Sequence, residues 1–253
     1  MAKKLIVGNW KMHTNVSEAS LLLSRLGRDI KAPETVEVVL CPPSISLYAL
    51  AREIDKQKND KFELGIQNVY DVDEGAFTGE ISAEMAKDLV GYAIVGHSER
   101  RIHFGERDKK IGQKVAACLR HGIKPILCVG EKIDDRTEGH AKRVVSDQLA
   151  VDLSGVTPAE IGRVTIAYEP VWAIGTGEFA KPHDVEQMTG HIRGCLKEIY
   201  SEDVSGQARI LYGGSVDPDN CASYLEIDGV DGLLVGGASI NYAKFAKIVD
   251  KAG

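Results

Sequence analysis

Short apolar runs rich in β-branched residues recur along the chain and are the most regular feature of its hydrophobic pattern. Eight such runs predict β-strands at residues 5–7, 36–40, 62–66, 92–95, 123–129, 164–168, 210–212 and 233–235. Successive runs are separated by enough chain for one helix and two loops, which favours parallel βαβ units over hairpins. Several runs are apolar at consecutive positions, as in strands that are covered on both faces.

The segments between these runs repeat their apolar residues with the period of an α-helix. In residues 108–121 the apolar side chains share one helical face, and Gly122 follows where a left-handed helix end is typical. Comparable stripes predict helices around 19–30, 47–54 and 185–199. Eight strands alternating with about eight helices, without a linker, favour a single closed (β/α)8 barrel domain over residues 1–253 rather than an open doubly wound sheet.

Composition and charge narrow the possible functions. The 253 residues are 43% hydrophobic and 27% charged, which is typical of a globular chain with one large core. The net charge of -6 opposes binding to nucleic acid or to an anionic membrane. The longest apolar run has five residues, far fewer than the roughly 18 of a membrane span, and no secretory core follows the N-terminus. Five cysteines without a C-x-x-C pair indicate neither a disulfide framework nor a zinc finger and favour the cytoplasm.

Several polar residues follow predicted strands, where the reactive groups of a (β/α)8 barrel lie. They are Asn9 and Lys11 after the first strand, His97 and Glu99 after the fourth, and Glu169 after the sixth. Burial at a strand end would raise the pKa of Glu169 and make it a usable base. A lone histidine is more often a core residue than a catalytic one, a lysine can be a solvated surface residue, and a glutamate can pair with a neighbouring helix, so position alone leaves both interpretations open.

Glycine pairs follow the last two predicted strands, in the segments 213–215 and 236–237. Glycine lets backbone N–H groups approach a ligand closely, and a helix predicted near Ala238 would direct its positive end to the same place. One pair alone could equally reflect a tight turn. Two pairs in neighbouring loops favour a phosphate-binding site.

Five segments together resemble the signature segments of the triosephosphate isomerase family, in order and in spacing. They are Asn-Trp-Lys-Met at 9–12, Gly-His-Ser-Glu-Arg-Arg at 96–101, Ala-Tyr-Glu-Pro-Val-Trp-Ala-Ile-Gly-Thr-Gly at 167–177, Tyr-Gly-Gly-Ser-Val at 212–216 and Leu-Val-Gly-Gly-Ala-Ser at 234–239. The resemblance extends from end to end of the chain.

This resemblance implies that the chain interconverts dihydroxyacetone phosphate and glyceraldehyde 3-phosphate without a cofactor or metal. It implies that Glu169 is the base and that His97 is a neutral electrophile, a pair for which this family is the standard example. It also implies that Asn9 and Lys11 complete the polar pocket. Glu99 is a second carboxylate beside this group and is counted with it among the candidate catalytic residues. The phosphate would bind Lys11 and the backbone N–H groups of Gly175, Ser215, Gly236 and Gly237.

Two long loops carry further expectations. Residues 170–182 have an apolar tip followed by glycines, which is typical of a lid, although Glu178 and Phe179 replace the lysine and small residue usual in the family. Loop 67–80 resembles the family's dimer loop and predicts a homodimer with Phe77 and Thr78 at the interface, Thr78 lying near the partner's Asn9 and the partner's Lys11. The alternative is a mobile acidic loop.

Three other functions fit parts of the sequence. Residues 175–180 match G-x-G-x-x-A of nucleotide-binding oxidoreductases, but no acidic residue ends a second strand about 20 positions later. Another phosphate-binding barrel enzyme would need either several His and Asp ligands or a lysine within a late strand, and Lys124 lies only at a strand start. A non-catalytic protein that binds a phosphorylated ligand is the third alternative.

Overall fold

The computed structural model describes residues 3–31, 34–58, 60–174 and 179–253. Within them the strands are β1 (Lys4–Asn9), β2 (Val36–Cys41), β3 (Phe62–Ile66), β4 (Tyr92–Val95), β5 (Lys124–Val129), β6 (Thr165–Tyr168), β7 (Arg209–Tyr212) and β8 (Gly232–Val235). The helices are α1 (Val16–Asp29), α2 (Ser44–Gln57), α3 (Ala83–Ala86), α4 (Ser98–His103), α5 (Asp108–Arg120), α6 (Ile133–Thr137), α7 (Ala141–Asp152), α8 (Pro182–Ile199), α9 (Glu202–Ser205), α10 (Cys221–Leu225) and α11 (Tyr242–Ala252). Short 3₁₀ turns cover Ile161–Arg163, Val171–Ala173 and Gly237–Ile240.

The strands form one closed parallel barrel in chain order, and β1 pairs with β8 to complete it. This confirms the predicted (β/α)8 architecture and rules out the open doubly wound sheet. Closure gives every strand two neighbours, so the barrel has no exposed sheet edge. It also brings the carboxyl ends of all strands to one rim, where the predicted polar residues meet.

Side chains alternate between the barrel interior and the layer under the helices. Leu5 and Val7 belong to a fully buried interior cluster with Ile94, whereas Ile6 belongs to the larger cluster between strands and helices. The period of two along each strand produces this alternation. Both faces of the strands are therefore apolar, which is why the sequence shows continuous rather than alternating runs.

Element boundaries differ from the sequence prediction where backbone pairing continues past apolar residues. Asn9 is the last residue of β1 and pairs with Cys41, although the apolar run stops before Gly8. The helix predicted near Ala238 is a 3₁₀ turn over Gly237–Ile240. Gly122 has φ of 81° after α5, as expected for the end of that helix.

Gly232 allows the seam of the barrel to close. It lies between Leu5 of β1 and Leu211 of β7, and a Cβ added to it would lie 1.9 Å from the carbonyl oxygen of Leu5. That oxygen belongs to the backbone of a buried strand and cannot move aside without disturbing the ladder. A larger residue at position 232 would therefore force β1 and β8 apart.

We expect Gly232→Ala to lower the free energy of unfolding by about 3 kcal/mol, because overpacking a well-packed interior is destabilising. Urea denaturation followed by circular dichroism measures this change. The control is Gly190→Ala in α8, where an added Cβ meets nothing within 4 Å and helix propensity predicts a gain of up to about 1 kcal/mol. Equal stabilities of the two variants would contradict this role of Gly232.

Candidate active site

A cavity of about 390 Å³ opens at the carboxyl ends of the strands. Seven of the predicted site residues line this cavity. They are Asn9, Lys11, His97, Glu169, Ser215, Gly236 and Gly237. Gly175 lies outside the described residues. Glu99 is at the edge of this group, because its carboxylate contacts Lys11.

Glu169 and His97 form the buried centre of the cavity. Glu169 follows β6, and its backbone N–H donates to the carbonyl of Val129 on β5 at 2.8 Å. One carboxylate oxygen, Oε2, accepts the backbone N–H of Ser98 at 2.8 Å. The other, Oε1, lies 2.9 Å from His97 Nε2 but has no aligned hydrogen-bond donor among the described residues. Glu169 therefore has one anchored oxygen and one buried oxygen that is available to a ligand.

His97 is held by the start of α4, for which it is the N-cap residue. Its Nδ1 accepts the backbone N–H of Glu99 at 3.3 Å. A nitrogen that accepts a hydrogen bond carries no proton, so this contact favours the neutral imidazole with its proton on Nε2, whereas the nearby carboxylates favour the charged form. That places an N–H donor, rather than a second base, beside the Glu169 carboxylate.

The two side chains shift each other's pKa in opposite directions. Burial raises the pKa of Glu169, but His97 and the Ser98 N–H outweigh it, so the pKa is lowered overall. The sequence-based expectation of a raised pKa is therefore wrong, because it counted burial and not the groups that the fold brings in from β4. For His97, burial lowers the pKa, but the charges of Glu169 and Glu99 outweigh this and raise it.

Lys11 brings a positive charge to the cavity from a tight turn after β1. Its φ is 52°, and its backbone N–H donates to Asn9 Oδ1 at 3.1 Å. Gln67 Nε2 donates to its carbonyl at 2.8 Å, which holds the turn against β3. The ammonium lies 2.5 Å from Glu99 Oε1, and the lysine stem passes Gly236 so closely that a Cβ there would lie 3.3 Å from Cε.

The opposite wall is built from the loops after β6, β7 and β8. Ser215 Oγ donates to the carbonyl of Ala173 at 2.6 Å and so joins the β7 loop to the segment predicted as a lid. Gly236 and Gly237 begin the 3₁₀ turn after β8, where an added Cβ at Gly237 would meet nothing within 4 Å. This wall is mainly backbone and has room for a small anion.

Glu131 is a buried carboxylate behind the cavity that the sequence analysis missed. It lies two positions after β5, is fully buried, and accepts hydrogen bonds from Trp172 Nε1 at 2.8 Å and Tyr168 OH at 3.1 Å. Its own carbonyl accepts the N–H of Val171 at 3.1 Å. A carboxylate at a strand end was the available signal, because the same signal drew attention to Glu169.

The lysine considered above as part of another barrel enzyme lies away from this rim. Lys124 begins β5 at the opposite end of the barrel and contacts Tyr92 and Glu37 there. No group of three or more His, Cys, Asp or Glu side chains is arranged around a metal position in the described ranges. Among those same residues, no helix combines the length and hydropathy that a bilayer span requires.

Fold and site together define a (β/α)8-barrel protein with a carboxylate and an imidazole facing a wall built mainly of backbone. The family model described as triosephosphate isomerase matches residues 4–252. The triosephosphate isomerase of Caldanaerobacter subterraneus subsp. tengcongensis is 45% identical over 99% of this chain and 100% of its own length. That of Roseiflexus castenholzii is 46% identical over 98% and 97% of the two chains, respectively. The chain belongs to the triosephosphate isomerase family.

We expect His97→Gln to raise the pKa of Glu169, because the substitution removes the imidazole that lowers this pKa and leaves most of the burial. In the wild type the lowered pKa adds stability that is present above the unfolded carboxyl pKa and is lost as the pH falls through the folded value. A ¹³C NMR titration of the Glu169 carboxyl measures both values. A midpoint in the variant equal to or below that of the wild type would show that His97 does not set this pKa.

Proposed function

We propose that this chain interconverts dihydroxyacetone phosphate and glyceraldehyde 3-phosphate by proton transfer through an enediolate. The observation that carries the proposal is the buried Oε1 of Glu169, which no backbone group anchors and which lies 2.9 Å from Nε2 of His97 in the cavity. A base must be ionised and have a free lone pair where the substrate lies. Glu169 meets both requirements, because its pKa is lowered and only its other oxygen is anchored.

The reaction needs one base and one hydrogen-bond donor. Glu169 takes a proton from the carbon beside the carbonyl and returns it to the neighbouring carbon. His97 donates its Nε2–H to the oxygen on which negative charge develops, and such a donor in a dry site stabilises the transition state strongly. Asn9 and Lys11 complete the polar side of the cavity, and Lys11 adds positive charge for an anionic substrate. No net redox change or group transfer occurs.

The phosphate of the substrate would bind across from this pair. The backbone N–H groups of Ser215, Gly236 and Gly237, together with Gly175, are the proposed donors. Their support is the open backbone wall beside the Lys11 side chain. A donor wall of amides binds phosphate without adding a titratable group.

Residues 170–182 are proposed to form a lid over this cavity. The described part begins with the 3₁₀ turn Val171–Ala173 and is attached to Glu131 and Ser215. Phe179 also borders the cavity and is half exposed. Closure would exclude water and protect the enediolate. Residues 175–178, which include Glu178, lie outside the described residues.

We propose that the chain is a single domain, as one barrel accounts for residues from β1 to α11. We also propose that it works in the cytoplasm. All five cysteines are unpaired and buried, which suits a reducing compartment.

A homodimer is the proposed assembly. The five most exposed large apolar side chains of the described residues follow the first four strands, which are neighbours in the barrel: Met12, Ile45, Tyr48, Met85 and Phe104. Phe77, in loop 67–80, is 40% exposed and packs against Tyr70 with ring centroids 4.6 Å apart, and Tyr70 pairs with Ser82 just after the loop. Exposed apolar side chains concentrated after neighbouring strands are typical of a protein interface.

We expect Glu169→Gln to lower kcat by about 10²- to 10⁴-fold, because general base catalysis contributes about that much, and to change KM little. A coupled assay with glyceraldehyde 3-phosphate measures both constants. Glu99→Gln is the matched control: its carboxylate is 38% exposed and pairs with Lys11, so we expect a loss of less than about 10-fold. Unchanged activity of Glu169→Gln would refute Glu169 as the base.

We expect sedimentation at micromolar concentration to show a particle of about twice the 27.4 kDa of one chain. Phe77→Asp should shift this particle toward the monomer, because it places a charge in an apolar interface. The control Leu21→Asp changes an apolar residue on α1 that is 50% exposed, against 40% for Phe77, and that does not belong to the group described above; this variant should remain dimeric. A wild-type chain that sediments only as a monomer would exclude the homodimer.

A further inference from the structure

One guanidinium binds the backbone at the carboxyl ends of β4, which presents His97, and of β5, the strand between β4 and β6. Arg101 lies in α4, and its Nε donates to the carbonyl of Gly96 at 2.9 Å. Its Nη2 donates to the carbonyl of Cys128 at 3.1 Å. Gly96 immediately precedes His97, and Cys128 immediately precedes Val129, whose carbonyl holds the Glu169 N–H.

Gly96 and Cys128 each lie one residue beyond the last pair that joins β4 to β5. That last pair is Val95 with Leu127, so the guanidinium joins the strands where their own ladder stops. A guanidinium has five N–H donors in a rigid plane and can hold two carbonyl oxygens at a fixed separation. Arg101 thereby fixes the backbone geometry at the point where the β4 loop leaves the barrel.

The guanidinium is itself held from outside the barrel. Its Nη2 donates to Asp152 Oδ2 at 2.8 Å, and its Nη1 contacts Asp108. Asp152 ends α7 and is fully buried, while the Arg101 side chain is 16% exposed. Gly96 leaves room for this arrangement, because a Cβ there would lie 3.3 Å from Arg101 Nη2 and 2.8 Å from Ile111. Charged partners on two helices, of which Asp152 is fully buried and Asp108 is partly exposed, leave the guanidinium little freedom to move.

We propose that Arg101 is a positioning residue that sets the separation of His97 and Glu169 and so supports kcat rather than substrate binding. Arg101 does not border the cavity, and the groups proposed to bind phosphate are on other loops. The inference rests on the isomerase function proposed above. A displacement of about 1 Å in a reacting pair can lower a rate about 100-fold, so a clamp on both strand ends has a direct effect on turnover.

The test compares two arginines that make the same kind of clamp. Arg101→Lys keeps the charge beside Asp152 and Asp108 but removes the planar fork. The control is Arg193→Lys, because Arg193 donates to the carbonyls of Ser205 and Ala208 at 2.6 and 2.7 Å and lies 3.4 Å from Asp231. Those partners precede β7 and β8 at the opposite end of the barrel.

We expect Arg101→Lys to lower kcat by about 10- to 100-fold with KM within about threefold of the wild type. Arg193→Lys should lower the melting temperature by a comparable amount and leave kcat within about twofold. A kcat of Arg101→Lys within twofold of the wild type, or an equal kcat loss in both variants, would overturn the proposal.

A second measurement separates this inference from the proposed function. In the ligand-free protein, ¹⁵N NMR reports whether His97 Nδ1 is unprotonated and Nε2 protonated, whatever the activity. We expect this signature in the wild type and in Arg193→Lys, and a shifted or exchange-broadened one in Arg101→Lys. An unchanged His97 signal in Arg101→Lys would overturn the positioning role, whereas a wild type that has the signature and lacks isomerase activity would refute only the function.

Asp152→Asn serves as a milder variant if Arg101→Lys does not fold. It keeps the guanidinium and an acceptor for it but removes the buried negative charge, which weakens the anchoring bond by about half. We expect kcat to fall by about three- to tenfold at unchanged KM. A folded Asp152→Asn protein with the kcat of the wild type would count against the clamp.

Discussion

Glu169 and His97 come within 2.9 Å of each other although they follow different strands with β5 between them. Parallel pairing places both strand ends on one rim, with β5 as their common neighbour. The contact is buried, so any displacement would leave a charged carboxylate without its compensating groups. The chemistry of the site therefore depends on the register of β4, β5 and β6.

The environment gives the two members of the pair different tasks. A backbone N–H holds one oxygen of Glu169, and another backbone N–H directs the proton of His97 to Nε2. Both donors belong to the first turn of α4. This one short helix therefore orients both the base, Glu169, and the hydrogen-bond donor, His97. Lys11 places a positive charge beside this pair in a chain whose net charge is -6. Attraction of an anionic substrate is thus a local property of the rim.

Local pattern was sufficient to predict the fold and most of the rim. Runs of β-branched residues identify the strands because both faces of a barrel strand are buried, and carboxyl-end position identifies Asn9, His97 and Glu169. The pattern could not predict which side chains from different loops come into contact. The lowered pKa of Glu169 depends on groups from β4, and the hydrogen bonds of Glu131 depend on the contact of the β5 and β6 loops. Such roles appear only when separate strand ends are brought together.

The most direct test of this account is the isomerisation of glyceraldehyde 3-phosphate in deuterium oxide by chelator-treated protein, followed by proton NMR. A carboxylate base that carries the proton between two carbons holds it as an acid proton, and part of it exchanges with solvent before it is returned. We therefore predict turnover without added metal and dihydroxyacetone phosphate of which a fraction carries solvent deuterium on the carbon that receives the proton. Turnover that requires an added metal ion, or an equal rate and deuterium content with Glu169→Gln, would contradict a mechanism built on Glu169 and His97.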